Sequence, residues 1–156
     1  MIDKASPFSG KSSPDITIYD YLHRVQQYAR CSNSCYILSL IYIDRLLLKD
    51  PEFVLNRKNI YRVIITSLLL AIKYSEDFYY QNSFYSSIGG ISVRELNQLE
   101  TAMLFRLRFD LNVSEETYTH YIDDLKSHFI QLVCEELSAA SPEREVLGEN
   151  LAFPRT

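Results

Sequence analysis

Val63-Ile64-Ile65-Thr66-Ser67-Leu68-Leu69-Leu70-Ala71-Ile72 is apolar or small on nearly every side when wound as a helix. Such a helix is normally covered by neighbours all round, so this stretch is expected to be the buried central rod of a helical domain. Asn56 offers a cap for its start. Projection at about 100° per residue puts Lys73 over Leu69 and Leu70, with Thr66 and Arg62 continuing the strip toward the helix start. One face of the rod is therefore apolar with a basic edge.

Two helices are expected before the rod. Ile18, Tyr21, Leu22, Val25, Tyr28 and Ala29 fall at helical spacing behind a Thr17/Asp20 capping pair. Ser32-Asn33-Ser34 then stops one helix and caps the next, which carries Ile37, Leu38, Ile41, Tyr42 and Leu46 to Lys49 before Asp50-Pro51 breaks it. After the rod, Glu76 to Gly90 holds five aromatics and a Gly-Gly pair without a sustained period, which predicts a long, ordered loop. Ser92 and Glu95 form an S-x-x-E box opening a fourth helix to about Leu107. Ser114 opens a fifth, with acids in its first turn and Tyr118, Tyr121, Ile122, Leu125 and Phe129 on one face; its register can continue to Leu137. No β-alternation or internal repeat accompanies these helices. The expected fold class is all-α, five helices around a central third, with short flanking segments. Residues 1–13 read as a flexible arm, 14–129 as the folded unit, and 130–156 as a helical extension with a polar tail.

Composition narrows the function. The chain has 156 residues, 47% hydrophobic and 23% charged, which suits one folded domain. Its net charge is 16 − 20 = −4 with no dense basic block, so a protein partner is expected rather than a nucleic acid. Apolar runs break before the ~18 residues of a membrane span, and the start lacks a signal core. Neither membrane attachment nor export is expected, and the protein is read as intracellular. Cys31, Cys35 and Cys134 match neither zinc nor redox spacing; they read as reduced, partly buried thiols. His120 and His128 would lie roughly 12 Å apart on a helix at ~1.5 Å per residue, too far to share a metal. Gly89-Gly90 lacks the rest of a phosphate-loop motif, and no nucleophile motif exists. No catalytic residue, metal ligand or cofactor is expected.

Two charged residues stand in apolar settings. Glu100 projects between Leu96, Met103, Leu104 and Leu107, in the middle of its helix's apolar stripe. A carboxylate there needs a partner. It pairs internally with Lys73, or both charges border a docking surface anchored by Leu69, Leu104 and Phe109. The pattern is compatible with either arrangement.

Tyr42-Ile43-Asp44-Arg45-Leu46-Leu47 resembles the Y-I-D-R-F-L signature of the cyclin box. Leu70-Ala71-Ile72-Lys73-Tyr74-Ser75-Glu76 is similar to the same family's A-A-K-Y/F-E-E segment, and Leu99-Glu100 through Phe109-Asp110-Leu111 to its M-E-x-x-x-L-x-x-x-x-F-D-L segment. Tyr80, Asn82, Tyr85 and Gly89-Gly90-Ile91-Ser92, followed by Glu95-Leu96-Asn97, resemble the PHO-type cyclins and their plant P/U-type relatives. Those relatives act in phosphate signalling and in cell-cycle control. The resemblance implies a single five-helix cyclin box over 14–129 and a non-catalytic subunit forming a heterodimer with a cyclin-dependent-type protein kinase. By residue match, Lys73 and Glu100 would contact the kinase around its αC helix, with Tyr74, Leu69, Leu104, Phe109 and Leu111 as apolar contacts; Asp44 and Arg45 would be scaffold. Ile16-Thr17-Ile18-Tyr19-Asp20-Tyr21 lacks the Arg and Trp of the family's M-R-A-I-L-x-D-W segment, so R-x-L substrate docking is not expected. A cyclin-fold adaptor that binds proteins without activating a kinase is the alternative.

Overall fold

The structure is a computed structural model that describes residues 6–140. The described residues form six α-helices and no strand: α1 (Ile18–Tyr28), α2 (Asn33–Lys49), α3 (Ile60–Ser75), α4 (Asn82–Gly89), α5 (Val93–Arg106) and α6 (Glu115–Ala140). The chain divides into two units, Met1–Tyr121 and Ile122–Thr156.

In the first unit α3 is the central rod. Every residue from Val63 to Ile72 is buried, and α2 covers it more extensively than any other helix. The buried Thr66 and Ser67 hydroxyls are satisfied inside the protein: Thr66 Oγ1 donates to Arg62 O at 2.7 Å, and Ser67 Oγ meets Ser39 Oγ of α2 at 2.9 Å. Thr17 caps α1 and Ser92 caps α5, each side-chain oxygen accepting from the N–H three residues on. Ser32 stands at the start of α2 without capping it. Its N–H and hydroxyl are directed instead to Glu76 Oε1, at the far end of α3. Those hydrogen bonds hold the Glu76 carboxyl below its usual range.

Four sequence expectations need correction. The 76–90 segment is not all loop, because α4 interrupts it and buries Tyr85, Ser86 and Ile88. Two turns rich in Ser and Asn are too short for a hydrophobic period to register. Gly90, at φ 70°, ends α4 in the left-handed conformation open to glycine, and Gly89 packs so close to Ile65 that a Cβ would sit 2.9 Å from its Cγ1. Asn56 does not cap α3, which begins only at Ile60; it locks the preceding loop, its Oδ1 accepting from Lys58 N and its own N–H donating to Asn59 Oδ1, both at 2.8 Å. The segment from Ser6 to Ser13 is docked rather than flexible. Phe8 is fully buried edge-on against Phe53, with the Arg106 guanidinium beside both rings and paired to Asp50, and Gly10 N donates to Lys58 O at 3.0 Å. Finally, of the three free thiols Cys35 is buried and Cys31 half-buried, but Cys134 is exposed.

The second unit is described from Ile122 to Ala140, a continuous stretch of α6 with no buried residue. Phe129, Ile130 and Leu137 are exposed there. The polar tail after Pro142 lies outside the described residues.

Candidate functional site

Where α3 leaves the core its residues change from apolar to charged. Lys73 Nζ lies 2.7 Å from Glu100 Oε1 on α5, with the two side chains 29% and 16% exposed. The partner that Glu100 needs is thus inside the chain. Its second oxygen, Oε2, accepts from Asn82 Nδ2 at 2.8 Å, and the same amide donates to Asn97 Oδ1 at 2.7 Å. Three helices, α3, α4 and α5, therefore meet on one carboxylate. Asn82 and Asn97 are members of this cluster that helical projection did not single out, since each depends on how α4 packs against α5.

The same two helices, α3 and α5, also carry apolar groups that the core does not fully cover. Tyr74, directly after Lys73, is 52% exposed; Phe105 and Phe109 are 67% and 60% exposed and meet edge to face with centroids 5.3 Å apart. Leu104, one turn beyond Glu100, and Leu111 are half-buried against the core. Leu69 is different. It is fully buried, because the position one turn before Lys73 already faces the packed interior, and so it supports the surface without forming part of it. Phe105 takes the exposed place instead, and its i, i+4 spacing to Phe109 was the available signal.

The turn that presents Phe109 is strained and firmly held. Arg108 and Phe109 both adopt left-handed backbone at φ 55°, a conformation costing roughly 1–2 kcal/mol for a residue with a side chain. Helix α2 holds it in place. Tyr42 Oη donates to Leu111 O at 2.7 Å, Arg45 Nη1 to Asp110 O at 2.9 Å, and Lys49 Nζ to Leu107 O at 3.0 Å. Lys49 also pairs with Asp110 at 2.7 Å. That hydrogen bond, with the Arg45 charge behind it, holds the Asp110 carboxyl below its usual range. Burial pushes the Tyr42 phenol up to about 12, and like any tyrosine it is a donor at neutral pH. Asp44 faces the other way and accepts from Tyr121 Oη at 2.8 Å. The Tyr42-to-Arg45 motif is accordingly a clamp for the 107–111 turn.

Above α4 an aromatic chain runs from solvent to core. Phe78 is 81% exposed and meets Tyr80; Tyr80 lies 4.3 Å from Phe84, and Phe84 packs edge-on to buried Tyr85. Among the described residues no three His, Cys, Asp or Glu side chains are grouped to hold a metal ion, and no helix is long and apolar enough to cross a membrane. What these helices offer is one oriented ion pair, an exposed tyrosine directly after its lysine, and exposed aromatics at the end of the helix that carries its carboxylate, groups suited to a protein contact.

Comparison with known proteins gives the same motifs a context. A family profile described as Cyclin matches residues 1–111. The chain is 38% identical over 147 residues to Cyclin-U4-1 of Arabidopsis thaliana, covering 94% of this chain and 73% of that one. It is 42% identical over 130 residues to Cyclin-U4-3 of the same plant, covering 83% and 59%. To Cyclin-P4-1 of Oryza sativa subsp. japonica it is 40% identical over 127 residues, covering 81% and 60%.

Proposed function

Because this chain belongs to the cyclin family, with plant U-type and P-type members among its relatives, we propose that it binds and activates a cyclin-dependent-type protein kinase through the Lys73/Glu100 face. A regulatory role follows from the family; the kinase, the contact face and the activation step are the proposal. The observation that carries it is a preorganised ion pair directly followed by exposed Tyr74, with Phe105 exposed further along the α5 helix that carries Glu100. Lys73 has three N–H donors and spends one on Glu100, which leaves two for a partner's carbonyls. The Glu100 carboxylate receives one bond from Lys73 and one from Asn82, which leaves about two acceptor positions. Each charge holds the other in place, so little side-chain entropy is lost when a partner arrives.

Phosphoryl transfer by a protein kinase needs its β3 Lys paired to the Glu of αC. A subunit that binds the αC-in state more tightly supplies that pair by shifting the population and contributes no catalytic atom. Moving the kinase from 1:99 to 99:1 requires about a 10⁴-fold difference in affinity between the two states. Tyr74, Leu104, Phe105, Phe109 and Leu111 are the groups whose burial would supply most of that difference. The three free thiols fit a reducing, intracellular setting.

The test is capture. Purified chain incubated with a cyclin-dependent-type kinase should retain it and raise its phosphorylation of a generic substrate, and Glu100→Lys should weaken both. Retention without any rise in activity would support an adaptor; equal retention by wild type and Glu100→Lys would remove this face from the contact.

A further inference from the structure

Between the N-terminal segment, α1, α3 and the turn after α4 lies a partly enclosed cavity of about 240 Å³, lined by Ile16, Tyr21, Arg24, Arg62, Gly89 and Gly90 together with other apolar groups. A single water needs only about 10–15 Å³ of such space, so the cavity suits a polyatomic ligand. Two guanidinium groups line it, and no carboxylate does. Arg62 is neutralised at Nε by Glu95, 2.6 Å away, and Glu95 faces the adjoining groove lined by Ser9, Lys11 and Ser12. Among the described residues Arg24 has no such partner. Its Cζ lies 5.2 Å from the centre of the Tyr21 ring, and its Nε is buried without a hydrogen-bond partner among the described residues. The guanidinium also stands close to the left-handed Gly90, where a Cβ would be 3.5 Å from Arg24 Nη2. The Tyr21 hydroxyl is already committed to Tyr61 O at 3.1 Å, so it does not compete for the arginine.

A buried donor left unpaired is costly, and a guanidinium fork matches an oxyanion in two bonds. We propose that this cavity binds a phosphate group, free or carried as a monoester, with Arg24 as its principal contact and Arg62 as a second. A tetrahedral dianion has oxygens on several sides and can serve two arginines from different helices at once. A carboxylate offers its acceptor sites in a single plane, which suits two arginines from different helices less well.

The experiment is a titration of the ¹⁵N-labelled full chain with inorganic phosphate at constant ionic strength, against chloride, following the Gly90 amide and the Arg24 Nε–Hε resonance. Both should shift and saturate with phosphate and not with chloride. Arg24→Gln should weaken the apparent affinity at least about tenfold, the loss expected of one charge-assisted hydrogen bond. Arg24→Lys keeps the charge without the fork and should weaken it less, which also covers the case that Arg24→Gln does not fold. A second titration with O-phosphoserine separates the sources: tighter binding than inorganic phosphate points to a monoester, weaker binding to the free anion. Shifts that match chloride, or a saturable affinity unchanged in both variants, would overturn the site.

Discussion

Two ion pairs tie α3 to α5, Arg62 to Glu95 at 2.6 Å and Lys73 to Glu100 at 2.7 Å, and the ground around them differs. At the first, the N-terminal segment crosses the pair so closely that a Cβ on Gly10 would meet Arg62 Nη1 at 2.5 Å. At the second, Tyr74 follows directly on Lys73 and is half-exposed, and the Phe105/Phe109 pair at the end of α5 and in the turn after it is exposed too. The chain lays its own N-terminal segment across the first pair, and among the described residues no comparable segment crosses the second, though both pairs are partly exposed. Under the proposed function, the same pairing chemistry serves the fold at the first site and presentation to a partner at the second.

The largest effect expected from this contrast is in the segment that crosses the first pair. Phe8→Ala should cost about 3–5 kcal/mol, as other buried aromatic truncations do, read as a lower urea midpoint with an unchanged slope. A loss below about 1 kcal/mol would mean that the segment is not docked there. At the second pair the effect should move from stability to binding. Phe109→Ala should weaken kinase capture by about 2 kcal/mol or more, as an aromatic anchor does, while stability stays within about 0.5 kcal/mol of wild type. Tyr42→Phe tests the clamp between core and surface: leaving the Leu111 carbonyl without its donor should cost about 1–3 kcal/mol of stability, measurable by denaturation. A smaller and pH-dependent effect is expected at Asp110. Its carboxyl is held below the ordinary value of 3.8 by Lys49 and Arg45, so the stability it adds is present above that value and fades as pH falls through the lower, folded one. Asp110→Asn should therefore be less stable than wild type at neutral pH and converge with it in strong acid, and a constant gap would contradict the assignment.

How much of this was legible in the sequence follows from the range of each signal. The buried rod, Thr17 and Ser92 as caps, and the placement of Glu100 amid apolar neighbours are local patterns, and one helix is enough to read them. Phe8 carried no period, since a single aromatic in a Pro-Ser-Gly context announces nothing until Phe53 is found beside it. Helix α4 was hidden by its length. Leu69 was placed on the surface because projection fixes an angle about the helix axis but not how deep a neighbouring helix reaches along it. The Tyr42-to-Arg45 clamp joins residues 65 to 69 positions apart in sequence, beyond any local rule; only the motif's resemblance marked those residues, as scaffold, without saying what they hold.

The central claim is that Lys73 and Glu100 face a kinase as well as each other, and an exchange of charge tests it most directly. The double variant Lys73→Glu with Glu100→Lys rebuilds the internal pair with its polarity reversed. Measured beside the two single variants, it should recover the thermal stability that each of them loses while kinase capture stays abolished, because the partner meets the wrong sign at both positions. Recovery of capture together with stability would show that the pair serves the fold alone.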